Sequence, residues 1–387
     1  MFILERLIGV GIYALLLLLV CLSLVGKSHK KIKRILFLYT VTLSILAFFY
    51  VPYETADLYR IYGFVEMFSK YSFSEMLQHQ AQRGEWGIGN ILYWVIGKTG
   101  IPQLLPALTT FVCYSCVFYI VNRTAKENNA SGKNVAITLL FYMATGTYMS
   151  MISGIRCMLG ISVFMWCFYR ESVEGKFRVI HVPIYVFGAL IHSFVAVLIA
   201  LRFVLPVFDL KISALRRTIH LSLLGIGVVL SYRYMGGYLN QILAKAESYL
   251  DGSLYSYGWG YAIAILAYLI LLFVLFEYRR MFGKIVQINK AWPMYLAVCL
   301  LGAVIFCYEY SVFARTILLV SPIICLPLMM SILQNDDQKK CVSKVYPITS
   351  IWDIKVDCSV IICSSSILLL LLSCARGSMC SLKFFVL

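Results

Sequence analysis

The feature that most constrains this chain is a succession of about a dozen apolar runs, at roughly 7–26, 35–52, 102–121, 135–153, 155–169, 179–191, 193–208, 218–232, 259–278, 292–308, 314–332 and 358–374. Most approach the roughly 20 residues that a helix needs to cross a bilayer, which predicts an all-α polytopic membrane protein with about eleven or twelve transmembrane helices. Composition agrees: 61% of the 387 residues are hydrophobic and 13% are charged, against about half and a quarter in soluble chains. The net charge of +16 raises nucleic acid as a partner. The basic residues, however, sit in short loops between apolar runs, so membrane lipids are the expected surroundings and no nucleic acid is. Most of the 13 cysteines lie in or beside those runs without CxxC spacing, so neither a disulfide framework nor a metal site is predicted. The first run has its basic cluster after it and no small-residue cleavage site, and therefore reads as a span rather than a removed signal.

Basic residues cluster in "KSHKKIKR" (27–34), around Arg123, Lys126 and Lys133, in "YRESVEGKFR" (169–178), in "KISALRR" (211–217), in "YRRMFGK" with Lys290, and in "QKKCVSK" (338–344). All six share one side only if the runs alternate as spans, and the positive-inside rule makes that side the cytoplasm and the N-terminus external. The sensitive stretch is 179–208, which reads either as one long tilted helix or as two short helices meeting near "GALIHS". A single crossing would put "KISALRR" outside, so two short helices are preferred; such helices are tolerated where they line a cavity. "WGIGNILYWVIG" (86–97) is also too short to span and reads as re-entrant or interfacial. Two outer segments remain, about 53–101 and 233–258, whose polar residues at helical spacing among Tyr and Trp predict amphipathic helices on the outer face. The chain divides into a polytopic domain over 1–335 and a C-terminal tail over 336–387 that carries a last apolar helix at about 358–374. Glycosylation sequons at 122–124 and 129–131 fall on the cytoplasmic side and carry little weight.

Charges at the ends of spans are costly and usually face a cavity or a partner. Arg156 in "MISGIRCMLGIS" has no acid within a helical turn, so its guanidinium either snorkels to lipid phosphate or binds a phosphate-bearing ligand, for which a planar, permanently charged fork is suited. Arg315 poses the same choice, with Glu309 six residues earlier as an approximate structural partner. His192 lies alone in an apolar run, as a core histidine would, yet the two-helix reading brings it level with Arg156 at the outer surface. Asp57 and Arg60 are three residues apart among Tyr53, Tyr59 and Tyr62. They form either a helical ion pair worth a few tenths of a kcal/mol or part of a sugar-binding surface. Glu85, beside Trp86, is either a general acid or base with a raised pKa or a helix-start carboxylate.

No Walker loop, GxSxG, HExxH or Rossmann glycine pattern occurs, so ATP-driven transport, serine hydrolysis and metalloproteolysis lack support. What does occur is an ordered series: Asp57 to Tyr62 ("DLYRIY"), Glu85 to Gly87 ("EWG"), Ser153 to Arg156 ("SGIR"), Ile191 to Ser193 ("IHS"), and Arg315 before "LLVSPIICLPL". This series resembles the EpsG family, Wzy-like polymerases of exopolysaccharide and O-antigen repeat units, over roughly residues 35–330. The resemblance implies a glycosyltransferase-type polymerase that joins undecaprenyl-pyrophosphate-linked glycans at the outer face of the bacterial cytoplasmic membrane. By the same resemblance Arg156 and Arg315 would hold the pyrophosphate, Arg60 or His192 would assist, and Asp57 or Glu85 would deprotonate the acceptor hydroxyl. No metal and no cofactor is implied; a chain-length regulator and a flippase are the implied protein partners. Cys157 stands where glutamine often follows the family arginine, and the tail from about 338 matches nothing in the pattern. A lipid-linked glycan ligase or membrane acyltransferase, and a polysaccharide flippase or transporter, remain the other readings.

Overall fold

The computed structural model describes residues 2–54, 56–83, 88–145, 147–175, 179–205, 259–281, 291–305, 313–337 and 358–375, together with residues 218, 222 and 225. Glu85, Glu309, the basic clusters at 211–217 and 338–344, the expected outer segment at 233–258, and nearly all of the expected span at 218–232 lie outside the described residues. All regular structure among the described residues is helical. The helices are α1 (Phe2–Leu24), α2 (His29–Phe48), α3 (Asp57–Ser69), α4 (Phe73–Arg83), α5 (Ile88–Thr99), α6 (Leu104–Glu127), α7 (Gly132–Ala144), α8 (Thr147–Ser153) and α9 (Ile155–Ser172). They continue as α10 (His181–Ile191), α11 (Ser193–Val204), α12 (Trp259–Met281), α13 (Ala291–Ile305), α14 (Ser321–Asp337), preceded by a π-helical turn at Arg315–Val320, and α15 (Cys358–Ala375).

Three stretches among the described residues are long and apolar enough to cross a membrane: Leu104–Glu127, Ala262–Met281 and Arg315–Leu333. Shorter apolar helices cover Ile8–Leu24, His181–Ile191, Ser193–Phe203 and Ala291–Ile305. α1 as a whole is 23 residues long (Phe2–Leu24), and two of the apolar stretches, 135–153 and 179–208, are each divided into two shorter helices. The run at 135–153 is two helices, α7 and α8. α7 ends on Thr145, whose N–H bonds the Phe141 carbonyl at 3.2 Å and whose hydroxyl bonds that of Tyr142 at 2.7 Å, satisfying carbonyls that a longer helix would have used.

The basic segments that can be traced gather at one end of the bundle. Gly132, at the start of α7, sits so close to the end of α1 that a Cβ there would lie 1.9 Å from the Leu24 carbonyl oxygen, which joins "KSHKKIKR" to the α6–α7 turn. Asn134 donates to the Leu333 carbonyl at 3.3 Å and Asn128 to Ser331 at 3.3 Å, bringing the end of α14 there. Arg279 at the end of α12 donates to the Ile332 carbonyl. Arg123 reaches Glu174 at 3.0 Å, and Arg202 pairs with Glu171, adding the ends of α6, α9 and α11. The helix ends that carry the basic residues at 27–34, 123–133, 169–175 and 278–281 thus lie together among the described residues.

The 179–208 run is two helices that fold back at His192, whose backbone is extended (φ −153°, ψ 126°). Small residues let this hairpin lie flat on α9: a Cβ at Gly160 would meet Val195 Cγ2 at 2.7 Å, and one at Gly188 would meet Val195 Cγ1 at 3.1 Å. α14 is the central element, with every residue from Ser321 to Leu333 buried. Trp292 of α13, itself fully buried, donates to its Ile324 carbonyl at 2.7 Å. Tyrosines fill much of the core rather than forming only an interfacial belt: Tyr13 stacks on Tyr148 at 5.2 Å, and Tyr148 donates to the Leu43 carbonyl at 3.0 Å. The tail helix α15 packs on α7, and Tyr268 of α12 donates to its Ile362 carbonyl at 3.3 Å.

Candidate functional site

With the basic segments at one end, the direction of each helix puts the isolated polar residues at the other. α9 runs from Arg156 to the basic end over 18 residues, about 27 Å at the α-helical rise. The hairpin turn at His192 and the π turn opened by Arg315 lie at that same far end. α2 also ends there and leads into α3. The segment at 53–101 carries α3, α4 and α5, as its helical spacing predicted.

α5, inside the run read as too short to span, is fixed to α3 and the α3–α4 turn from three directions. A Cβ on Gly97 would lie 2.6 Å from the Val65 carbonyl oxygen, so only glycine admits the α3 backbone this closely. Trp94 donates to the Tyr71 carbonyl at 3.0 Å, and Lys98 to the Ser69 carbonyl at 2.7 Å. α4 opens with a reciprocal cap written in "SFSE": the Ser72 N–H donates to Glu75 at 2.6 Å, and the Glu75 N–H to the Ser72 hydroxyl at 3.3 Å. These backbone and side-chain hydrogen bonds hold the Glu75 carboxyl below its usual range.

Arg156 is the second residue of α9, which begins after Gly154 (φ −84°, ψ 45°). Ile155 is fully buried while Arg156, one step round the helix, is exposed. Its side chain crosses α5 at Gly89, where a Cβ would lie 2.6 Å from Arg156 Cδ. The guanidinium carbon stands 5.9 Å from the centre of the Tyr93 ring. Among the described residues no carboxylate pairs with Arg156 or with the half-exposed Arg315. The charges of Arg315, Asp57 and Arg156 all bear on Cys157, and those of Arg156 and Asp57 on Tyr93. α3, α5, α8, α9 and the π turn thus bring these three charged residues into one electrostatic neighbourhood.

The other sequence candidates fall differently. Asp57 opens α3, where a carboxylate suits the helix dipole, and it accepts a hydrogen bond from Arg60. Both side chains are more than half exposed, at 59% and 68%, so the ion pair considered from the sequence is formed. His192 caps α11: its Nδ1 accepts the Phe194 N–H at 3.2 Å, which requires that nitrogen to be unprotonated. Glu85 lies outside the described residues. No group of three or more His, Cys, Asp or Glu side chains arranged to hold a metal occurs among the described residues. Two guanidinium groups lacking acid partners, with one carboxylate nearby, can bind a multiply charged anion and supply a base beside it.

Two features were not read from the sequence. Gly89 and Tyr93 sit one helical turn apart on α5, facing Arg156; the only sequence signal was a glycine followed four residues later by an aromatic residue. At the basic end, "YRESVEGKFR" is more than a topogenic loop. Glu171 accepts from Arg202 Nε at 2.6 Å and lies 3.3 Å from His181 Nδ1. Glu174 accepts from Tyr119 at 2.9 Å and pairs with Arg123 at 3.0 Å. The Glu171 and Glu174 side chains are only 7% and 1% exposed, so these acids clasp α6, α9, α10 and α11 together.

A model described as the EpsG family matches residues 89–356. The match covers Arg156, His192 and Arg315 and begins after Asp57, Arg60 and Glu85. No curated protein and no solved structure matches the chain.

Proposed function

This chain belongs to the EpsG family, which supports a polysaccharide polymerase role in the broad sense, and from that premise we propose that it joins undecaprenyl-pyrophosphate-linked oligosaccharide units at the outer face of the bacterial cytoplasmic membrane. The observation that carries this reading is the pair Arg156 and Arg315, unpaired with acids among the described residues and close enough to act on the same Cys157. An acceptor sugar hydroxyl attacks the anomeric carbon of the donor. The new glycosidic C–O bond forms as the anomeric carbon–phosphate oxygen bond breaks, and undecaprenyl pyrophosphate departs with the bond's electron pair. The hydroxyl proton passes to Asp57 or Glu85. Fixed guanidinium groups stabilise the charge that develops on the leaving group, and do so most strongly where water is scarce. Arg60 or His192 assists. A chain-length regulator and a flippase are the partners this reading calls for.

The test is a deletion strain complemented with Arg156→Ala or Arg315→Ala, scored for glycan chain length at matched protein level. Loss of the long-chain ladder is expected for each; normal long chains from Arg156→Ala would sink its role. Transfer of one unit without a ladder by the unmodified protein would favour a ligase instead.

A further inference from the structure

Several arginines among the described residues are held by acids: Arg123 by Glu127 and Glu174, Arg202 by Glu171, Arg280 by Glu277. Arg156 is held by another means. Its Cδ lies over Gly89 and its guanidinium lies near the Tyr93 face, which is buried to 1% exposure. A carboxylate in that position would fix the side chain but cancel its charge. A glycine backbone and a tyrosine ring fix it by contact, by attraction to the ring quadrupole and by the nearby Tyr93 hydroxyl, all of them without an acid that would cancel its charge. The shelf that carries them is rigid, because Gly97, Trp94 and Lys98 tie α5 to α3 and the α3–α4 turn.

We propose that Gly89 and Tyr93 are positioning residues for Arg156: a seat that aims the guanidinium while leaving its charge for a ligand anion. The functional value of the seat rests on the pyrophosphate reading of Arg156. A methyl group at position 89 displaces a flexible arginine stem rather than backbone, so Gly89→Ala moves the guanidinium without dismantling α5.

The full-length protein in lipid nanodiscs is tested in two ways. The rate at which phenylglyoxal modifies Arg156, followed by peptide mass spectrometry, reports the seat whether or not the ligand is right. Gly89→Ala and Tyr93→Leu are each expected to change it by about twofold or more, and Tyr93→Phe, which keeps the ring but loses the hydroxyl beside Arg156, to change it less than Tyr93→Leu. Unchanged rates in both Gly89→Ala and Tyr93→Leu overturn the seat. Binding of undecaprenyl pyrophosphate alone reports its use: Gly89→Ala weakens binding by roughly tenfold through misplacement, and adds no further loss in an Arg156→Ala background. An equal further loss in that background overturns the proposal, because glycine would then act through the fold. If Arg156→Ala itself leaves binding unchanged, the pyrophosphate reading fails while the modification rates still decide the seat.

Discussion

Arg156, Arg315 and Arg202 are the same residue type in three different physical situations. Arg202 shares a buried carboxylate with His181; Arg156 and Arg315 face the opposite end of the bundle without one among the described residues. The isolation of Arg156 was legible, because no acid lies within a helical turn of it in the sequence. Its seat was not, since "GNILYW" reads like any aromatic helix face until α9 is laid across it. Arg156→Lys keeps the charge but loses the planar fork, so glycan polymer length is expected to fall well below normal without a change in protein level. His192 has two readings that one pair of variants separates. Asn is among the best N-cap residues, so His192→Asn preserves α11 while His192→Ala costs about 1 kcal/mol in stability. Polymerisation lost in both marks the imidazole as functional, and polymerisation kept in His192→Asn marks it as a cap. Asp57→Asn and Glu85→Gln compete for one role, and the base is whichever substitution abolishes chain growth.

At the scale of elements, the α10–α11 hairpin shows how a long apolar run can be decided by small residues. Gly160 and Gly188 admit Val195, and the His192 turn lets both helices lie on α9. The acidic clasp at the other end completes the arrangement. Glu171→Ala leaves Arg202 without its carboxylate in a mostly buried position (side chain 20% exposed), and a loss of about 3–5 kcal/mol is expected. A clear drop in thermal unfolding temperature in detergent checks this, and an unchanged temperature rules out the clasp as a stabilising device. α4 carries a titratable cap. Because the folded carboxyl of Glu75 is held below its usual range by Ser72, its contribution is present at neutral pH and is lost as pH falls through the folded value. Amides in the first turn of α4 should lose exchange protection at acidic pH, and Glu75→Gln, which keeps an acceptor but cannot titrate, should remove that dependence.

For the whole molecule, the prediction is one of sidedness. Cysteines placed at Ser28 or Ser131, in a background cleared of reactive native thiols, are expected to react with an impermeant maleimide only after permeabilisation. One placed at Tyr59, which is half exposed on α3, is expected to react in intact cells. The reverse pattern would turn the protein over and remove the outer-face reading. Apolar run length and the scarcity of charge were enough by themselves to specify an all-α membrane protein and the isolated arginines. Those properties follow from the cost of exposing polar groups to lipid, which each segment meets locally. Which helices lie next to one another was decided only in three dimensions. Glycines at 97 and 132 set how closely backbones approach, those at 89, 160 and 188 admit side chains of a neighbouring helix, and the stretch from Ser321 to Leu333 became the buried centre of the bundle. A close approach is a property of two segments at once, so neither segment's sequence could announce the seat beneath Arg156 or the clasp around Glu171.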